Sequence, residues 1–296
     1  MAKRSYQPII LMNAFKAIHS NARLLDLETQ RKAQSTVGTL LTPPATFNFR
    51  KFKLGGMNCM WTNIKSIPRS KNVIVYCHGG GYIVGDINYC KILSSKLAYE
   101  TGMEVVTFEY PLAPEHPYPA QNNAAMAVWN YLTELGIDER DIYICGESAG
   151  GHLVLCLCNM LKEAGRVLPA KIVLLSAWTD LTLSGTSYRT QLFDDPMVEF
   201  DYIEMIRRYY APDADYAKAR WSPLFSDFSG YPPCLIHVGE NEILQSDSTA
   251  LYDAMRKAGV ECSLKVYPKM WHVFHMFPIS DAEEAMKEVG DFIKGN

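Results

Sequence analysis

The sequence predicts an α/β protein with a mostly parallel sheet that is covered by helices on both faces. Short apolar segments recur along the 296 residues and alternate with longer segments of helical periodicity. The apolar segments are nearly continuous, which is typical of parallel strands buried on both faces. Because 48% of the residues are hydrophobic and 21% are charged, the chain can bury a full core as a single domain spanning 1–296.

The predicted elements follow one another in a regular order. An alternating stretch at 47–54 and another at 58–65 flank Gly55-Gly56, which predicts a β-hairpin with antiparallel strands at one sheet edge. The remaining strands are predicted at 72–77, 104–109, 141–145, 171–176, 234–238 and 263–267. Helices are predicted near 89–100, 121–135, 149–164, 248–257 and 281–294.

Two segments depart from this order. Residues 1 to about 45 have a helical, weakly amphipathic pattern, and residues from about 185 to 215 form an insertion between two strands. The insertion contains acids, aromatics and two prolines, with a helical piece near 200–210. We expect both segments to form a helical cap over the carboxyl ends of the strands, where ligands bind in such sheets.

Charge and cysteine usage exclude several classes of protein. A formal net charge of -3 with scattered lysines and arginines lacks the basic footprint of a nucleic-acid binder. None of the eight cysteines forms a CxxC pair, and most lie in apolar runs, which predicts buried, reduced thiols. The spacing also argues against a cysteine-rich zinc site.

The N-terminus resembles a signal peptide only briefly. Its apolar stretch is short, and Asn13 and Lys16 interrupt the continuation. No apolar run in the sequence approaches the length of a bilayer-spanning helix. We therefore expect a cytoplasmic protein without stable membrane insertion.

The strongest motif lies between a predicted strand and a predicted helix. Residues 146–150 read GESAG, which is the pattern G-x-S-x-G in the strand–turn–helix context that it requires. Such a turn holds the serine backbone in a strained conformation, so that its hydroxyl projects from the sheet. The flanking glycines avoid clashes with neighbouring backbone. The pattern predicts that Ser148 is a nucleophile.

A second glycine-rich loop predicts oxyanion donors. The strand at 72–77 is followed by His78 and three glycines, a sequence that completes the oxyanion hole in lipases and esterases. Backbone N–H groups stabilise a tetrahedral oxyanion best when they already point at it. We assign the donors to Gly79, Gly80 and Ala149. We expect His78 to hold the loop in place.

A base and an acid are expected late in the chain. Among the histidines after Ser148, His152 would point along its helix and His237 lies inside a predicted strand. That leaves His272 and His275, both after the last predicted strand, and we favour His272. For the acid we favour Glu242 in the loop after 234–238, with Asp180, which follows the preceding strand, as a competitor. Asp247 is expected to cap the following helix. Residues predicted to line the substrate pocket are Tyr82, Phe193, Met197 and Phe200.

Together these segments resemble the hormone-sensitive-lipase-like carboxylesterases, bacterial family IV of the α/β-hydrolase fold. The resemblance is carried by residues 78–86, 110–120, 146–153, 242–244 and 272–274. It implies the catalytic triad Ser148, Glu242 and His272. The family usually has Asp where Glu242 stands and Arg where Pro111 stands, so a contact near the loop 113–119 is expected to be missing.

The resemblance implies a serine carboxylesterase that hydrolyses short-chain acyl esters through an acyl-enzyme. It implies a small-molecule ester as the binding partner, no metal or organic cofactor, and a possible homodimer. Two alternatives remain open on the same fold: an amide hydrolase of arylformamidase type, and a non-catalytic ligand-binding receptor. The presence of His272 argues against the receptor, because the related receptor has lost this histidine.

Overall fold

The central sheet runs through the whole of the computed structural model, which describes residues 25–41, 45–192 and 194–295. Within these residues the strands lie in the order β1-β2-β4-β3-β5-β6-β7-β8. Only β1 with β2 and β2 with β4 pair antiparallel, and all other pairs are parallel. The strands are β1 (Phe47–Leu54), β2 (Met57–Ile64), β3 (Val73–Cys77), β4 (Glu104–Phe108), β5 (Ile142–Glu147), β6 (Ile172–Leu175), β7 (Cys234–Gly239) and β8 (Cys262–Tyr267).

Helices cover both faces of this sheet, which confirms the predicted fold class. Side chains of α2 and α8 pack in the apolar core of one face, whereas those of α3, α4 and α7 pack in the core of the other. The helices are α1 (Leu27–Leu40), α2 (Ile87–Thr101), α3 (Ala120–Glu134), α4 (Ala149–Glu163), α5 (Ser187–Thr190), α6 (Phe200–Tyr210), α7 (Gln245–Lys257) and α8 (Ser280–Lys294).

The edge hairpin forms where the sequence predicts it. Leu54 pairs with Met57, so that Gly55 and Gly56 alone make the turn. Their φ angles are 55° and 88°. A two-residue turn with positive φ at both positions is the form that matches the twist of the flanking strands, and glycine adopts it without strain.

The start of α7 differs from the expectation. The helix begins at Gln245, and Asp247 lies inside its first turn instead of capping it. The buried Asp247 carboxylate accepts the backbone N–H groups of Thr179 and Asp180, at 2.7 and 2.9 Å. The expectation for Asp247 was wrong because a tertiary contact, which local sequence does not reveal, uses its carboxylate.

The helix α1 is bound to the loops that follow β3 and β4. The guanidinium of Arg31 donates to the carbonyl oxygens of Ile83 and Ala113, at 2.8 and 3.1 Å. It also forms an ion pair with Glu115 at 2.7 Å. A guanidinium therefore does reach the loop 113–119, but it comes from α1 and not from position 111.

Two properties of the described residues bear on the sequence expectations. No helix among residues 25–41, 45–192 and 194–295 is long and apolar enough to cross a bilayer. All eight cysteines are buried with free thiols. Residues 1–24 and 42–44, which belong to the predicted N-terminal cap segment, lie outside the described residues.

The docking of α1 can be tested at Arg31. Arg31→Gln removes the ion pair and shortens the donor, so we expect the free energy of unfolding to fall by about 1–2 kcal/mol. Lys32→Gln is the matched control, because Lys32 pairs with Glu28 on the exposed face of the same helix, and it should cost less than about 0.5 kcal/mol. Equal urea midpoints for the two variants would show that Arg31 does not hold α1 in place.

Candidate active site

Ser148 lies at the sharp turn between β5 and α4. Its φ of 54° and ψ of -124° are a strained conformation for a residue with a side chain. The turn leaves no room beside it: a Cβ on Gly150 would lie 2.0 Å from the carbonyl oxygen of Cys77, and one on Gly146 would lie 2.4 Å from that of Gly150. The glycines of the motif therefore allow the strand, the turn and the helix to meet this closely.

The Ser148 hydroxyl heads a line of three side chains. Its Oγ lies 2.9 Å from Nε2 of His272, and Nδ1 of His272 lies 2.9 Å from Oε2 of Glu242. These distances place a proton on Nδ1, because the carboxylate can only accept, and leave Nε2 to accept from the hydroxyl. Structure thus brings together the three residues that the sequence predicted as nucleophile, base and acid.

The second oxygen of Glu242 is also bound. Oε1 accepts from the Ser176 hydroxyl at 2.9 Å and from the backbone N–H of Gly239. The Ser176 hydroxyl in turn accepts the N–H of Val273 at 3.1 Å. Since Val273 follows His272 directly, Ser176 links the acid to the chain that carries the base.

Two opposing effects set the pKa of His272. Burial disfavours the imidazolium, but the hydrogen bond and charge of Glu242 outweigh it, and the carboxylates of Asp195 and Glu147 add to the effect. The pKa of His272 is therefore raised above its ordinary value. A proton taken from Ser148 would be well supported on this ring.

The competing candidates make other contacts. Neither ring nitrogen of His275 has a hydrogen-bond partner within the described chain, and its ring stacks on His237. Burial holds the pKa of His275 well below the ordinary range. The carboxylate of Asp180 accepts from the neighbouring Thr182 and Ser184. The His275 ring therefore contributes to packing, and the Asp180 carboxylate stabilises the turn that follows it.

The glycine loop after β3 requires one correction. The N–H of Gly79 donates to Oε1 of Glu147 at 2.5 Å, so it is not free to act as an oxyanion donor. The N–H groups of Gly80 and Gly81 have no acceptor among the described residues, and both glycines line the pocket beside Ser148. The prediction was wrong at Gly79, and it did not consider Gly81, although the third glycine of the run was visible in the sequence.

The same loop is held by buried aromatic residues. The His78 ring stacks on Tyr110 at 4.0 Å, and the Tyr110 hydroxyl donates to the His78 carbonyl oxygen at 2.8 Å. Burial lowers the pKa of His78 to about 4, so this ring is neutral and structural. Tyr82 is fully buried, stacks on Tyr210 and lies 2.7 Å from His152 through its hydroxyl. The prediction that Tyr82 lines the pocket is corrected, because this packing removes it from the cavity.

The pocket in front of Ser148 is an apolar cavity of about 700 Å³. Met197 and Phe200 line it as predicted, whereas Phe193 lies outside the described residues. One wall comes from α1 and another from residues 195–206 of the insertion. The remaining wall follows His272, with Val273, Met276 and Phe277.

Glu147 is a functional candidate that the sequence argument overlooked, since it occupies the variable position of the motif. It is fully buried, and its Oε1 also accepts from the Tyr89 hydroxyl at 3.1 Å. Its Oε2 has no hydrogen-bond partner among the described residues. Burial raises the pKa of Glu147 to about 7, against the pull of the Gly79 N–H.

This buried acid predicts a pH-dependent stability. A pKa of about 7 in the folded state, against an ordinary 4.5, means that the folded protein binds this proton more tightly than the unfolded chain does. Its stabilising contribution is complete below pH 4.5 and is lost as the pH rises through 7. Glu147→Gln cannot ionise but keeps an acceptor for Gly79. We therefore expect a higher melting temperature than wild type at pH 8, with the difference narrowing towards pH 5.

Glu163→Gln, an exposed site on α4, is the control for that comparison. It should follow the wild-type melting curve at every pH. A Glu147→Gln variant that melts in parallel with wild type from pH 5 to pH 8 would show that Glu147 is already ionised in the fold.

Comparisons with known proteins agree with this geometry. The model of a protein family that is described as having the alpha/beta hydrolase fold matches residues 74–276. An esterase of Acinetobacter venetianus is 34% identical over 250 residues, covering 83% of this chain and 82% of the relative. An acetyl-hydrolase of Streptomyces hygroscopicus is 30% identical over 265 residues, covering 89% of this chain and 87% of the relative.

Solved structures extend the similarity to the whole fold. An esterase from the bacterial hormone-sensitive lipase family superposes with a TM-score of 0.92 at 28% identity, over 100% of this chain and 99% of that one. A hormone-sensitive lipase from a metagenome library gives 0.91 at 32% identity, over 97% of each chain. The chain therefore belongs to the hormone-sensitive-lipase-like carboxylesterases of the α/β-hydrolase fold, and it is a carboxylic ester hydrolase.

Proposed function

We propose that the protein hydrolyses short-chain acyl esters through an acyl-enzyme on Ser148, with His272 as the general base and Glu242 as the carboxylate that orients this base. The observation that carries the proposal is the line of side chains from Ser148 Oγ through His272 to Glu242, with 2.9 Å at each step. A nucleophile within hydrogen-bond reach of a base, which a third group orients, is the arrangement that this chemistry needs.

The reaction follows from the groups on either side of the hydroxyl. His272 takes the Ser148 proton as Oγ attacks the ester carbonyl, and Glu242 stabilises the imidazolium that forms. His272 then returns the proton to the leaving alcohol, which departs and leaves the acyl group on Ser148. A water molecule repeats the sequence: His272 accepts its proton, the hydroxyl attacks the acyl-enzyme, and the acid is released with Ser148 reprotonated.

The proposed oxyanion donors are the N–H groups of Gly80, Gly81 and Ala149. The two glycine groups lack an acceptor within the described chain and border the cavity. Ala149 is the first residue of α4, and the N–H groups of a first helical turn have no partner inside the helix. Fixed donors of this kind stabilise charge that develops on the carbonyl oxygen.

A short acyl group is supported by the shape and lining of the site. The cavity of about 700 Å³ must hold both the acyl and the alcohol parts of the ester, and α1 and the insertion bound it. An acetyl-hydrolase stands among the relatives. Each methylene that is buried in an apolar cavity adds up to about 0.8 kcal/mol until the space is filled.

Ser148→Ala tests the nucleophile. The variant should keep the fold and lose about 10⁴-fold or more in kcat on a chromogenic butyrate ester, because no acyl-enzyme can form. An organophosphate should label wild type at Ser148 alone. Ser66→Ala, at an exposed loop position, is the control and should retain wild-type turnover. Labelling at a different serine, or turnover by the Ser148→Ala variant close to wild type, would refute the assignment.

A series of esters tests the acyl preference. With one chromogenic alcohol and acyl chains from acetyl to dodecanoyl, we expect kcat/KM to peak between acetyl and hexanoyl and then fall steeply. A maximum on long chains would contradict the short-chain proposal. The anilide of the preferred acid belongs in the same series, since its faster hydrolysis would assign the site to amides.

A further inference from the structure

The loop that carries the proposed acid is held by the insertion. We call residues 240–247, which run from the end of β7 into the first turn of α7, the acid loop, and residues 185–215 the insertion. The peptide that joins Glu242 to Ile243 donates its N–H to Oδ2 of Asp195 at 3.0 Å. The carbonyl oxygen of Ile243 accepts from the Ser187 hydroxyl at 2.5 Å. Both backbone groups of the residue after Glu242 are thus bound by side chains of the insertion.

Asp195 is itself fixed. Its Oδ1 accepts the N–H groups of Met197 and Val198, at 2.8 and 3.2 Å, and it is 6% exposed. The carboxylate also borders the cavity in front of Ser148. A buried carboxylate that accepts from three backbone N–H groups has little freedom to rotate. A displacement of the insertion would therefore also displace the acid loop.

Ser187 is packed onto the same loop. Its Oγ accepts the N–H of Ser246 at 2.9 Å while it donates to Ile243. A Cβ on Gly185 would lie 2.1 Å from Oγ of Ser246. The start of the insertion therefore lies directly against the acid loop, with no space for a shift between them.

Direct contacts also hold the side chains of Glu242 and Asp247, but within the described chain no other backbone contact of the acid loop binds Ile243. Asn241 donates its N–H to the Met270 carbonyl oxygen at 2.9 Å, and Glu242 accepts the N–H of Gln245 at 3.1 Å. The first contact precedes Glu242, and the second lies within the loop. Only Asp195 and Ser187 bind Ile243 from outside the loop among the hydrogen bonds of the described residues.

We propose that Asp195 and Ser187 form a clamp on Ile243 that positions Glu242 against His272, so that the insertion is part of the catalytic scaffold. The inference rests on the proposed function, in which Glu242 orients the base. Asp195 and Ser187 act through Glu242 and do not touch the reacting atoms, so both are positioning residues. A displacement of about 1 Å at a catalytic group can cost on the order of 10²-fold in rate, which gives such a clamp its importance.

Charge gives the clamp a second effect. Three carboxylates, those of Glu242, Asp195 and Glu147, favour the charged form of His272, while burial opposes it. His275, on the same loop as His272, is buried with a pKa well below the ordinary range and adds no positive charge near neutral pH. Burial raises the pKa of Asp195 to about 6, and the nearby His272 opposes that rise. Asp195 is therefore mostly ionised at pH 7 and above.

The experiment is a pair of double-mutant cycles. Asp195→Asn replaces one accepting oxygen by an NH2 group, which cannot accept, so either the N–H of Ile243 or those of Met197 and Val198 lose their acceptor. Ser187→Ala removes the donor to the Ile243 carbonyl oxygen. Each is made in wild type and in Glu242→Gln, beside Asp194→Asn, an exposed neighbour, as the control. Turnover of a butyrate ester gives kcat and KM. Proton NMR of the His272 ring gives its pKa without any substrate.

We expect each clamp variant to lower kcat by about 10- to 100-fold in the wild-type background. In the Glu242→Gln background the further loss should be less than about threefold, because the residue through which the clamp acts is already impaired. The pKa of His272 should fall in Ser187→Ala, which removes no charge, and stay at the wild-type value in Asp194→Asn. In Asp195→Asn the lost charge lowers this pKa as well, so the kinetic cycle is the readout for that variant. A pure loss of stability would lower melting temperature without either signature.

The clamp is overturned if both variants cost as much in the Glu242→Gln background as in wild type, or if the pKa of His272 is unchanged in Ser187→Ala. Because Ser187 and Asp195 bind opposite groups of one residue, either variant decides the question if the other fails to fold. If wild type shows no ester turnover, the proposed function is refuted but the clamp is not, because the NMR measurement still tests whether the clamp positions Glu242.

Discussion

The strained turn at Ser148 is the constraint on which the rest of the site depends. A positive φ at a residue with a side chain persists only when the surrounding structure enforces it. Here the enforcement comes from backbone: Gly150 approaches the carbonyl of Cys77, and Ser148 donates its own N–H to the Leu175 carbonyl oxygen at 3.0 Å. The ends of β3, β5 and β6 are thereby locked together at the point where the hydroxyl emerges.

The charges around His272 follow from the same close packing. Glu242, Asp195 and Glu147 are all buried, and the backbone N–H groups of Gly239, Ile243 and Gly79 donate to them. Backbone donors are part of the fold and cost no side-chain entropy when they bind a carboxylate. A cluster of acids around one imidazole favours its cation, which is the state that exists after proton transfer and not before it.

Features that depend on local sequence could be predicted well. The strands, the Gly55-Gly56 turn and the nucleophile motif each have a pattern within a few neighbouring residues. The errors lie where a distant residue decides the outcome. Gly79 was assigned as a donor from its place in the glycine run, whereas its N–H is bound by Glu147, which is 68 positions away. No spacing rule reveals such a pair.

Aromatic and acidic side chains show the same limit. Tyr82 follows a loop that borders the pocket, yet Tyr210 of the insertion stacks on it and buries it. In the sequence Asp195 looks like an ordinary loop acid. Its proposed positioning role depends on a hydrogen bond to Ile243, which lies 48 residues later. Composition could mark such residues as polar or apolar, but only the packed chain determines which contacts they make.

Two of the cavity walls differ in how freely they can vary. The wall from the insertion includes Asp195 and is tied to the acid loop, so a change in its position also moves Glu242. The wall from α1 presents Val37 and Gln34. The helix is held to the loops after β3 and β4 by Arg31 and to the insertion by a hydrogen bond from the Tyr202 hydroxyl to Gln30. Divergence of substrate range within this scaffold should therefore proceed through cavity-facing side chains of α1 such as Val37, which take no part in the hydrogen bonds around Glu242 and His272.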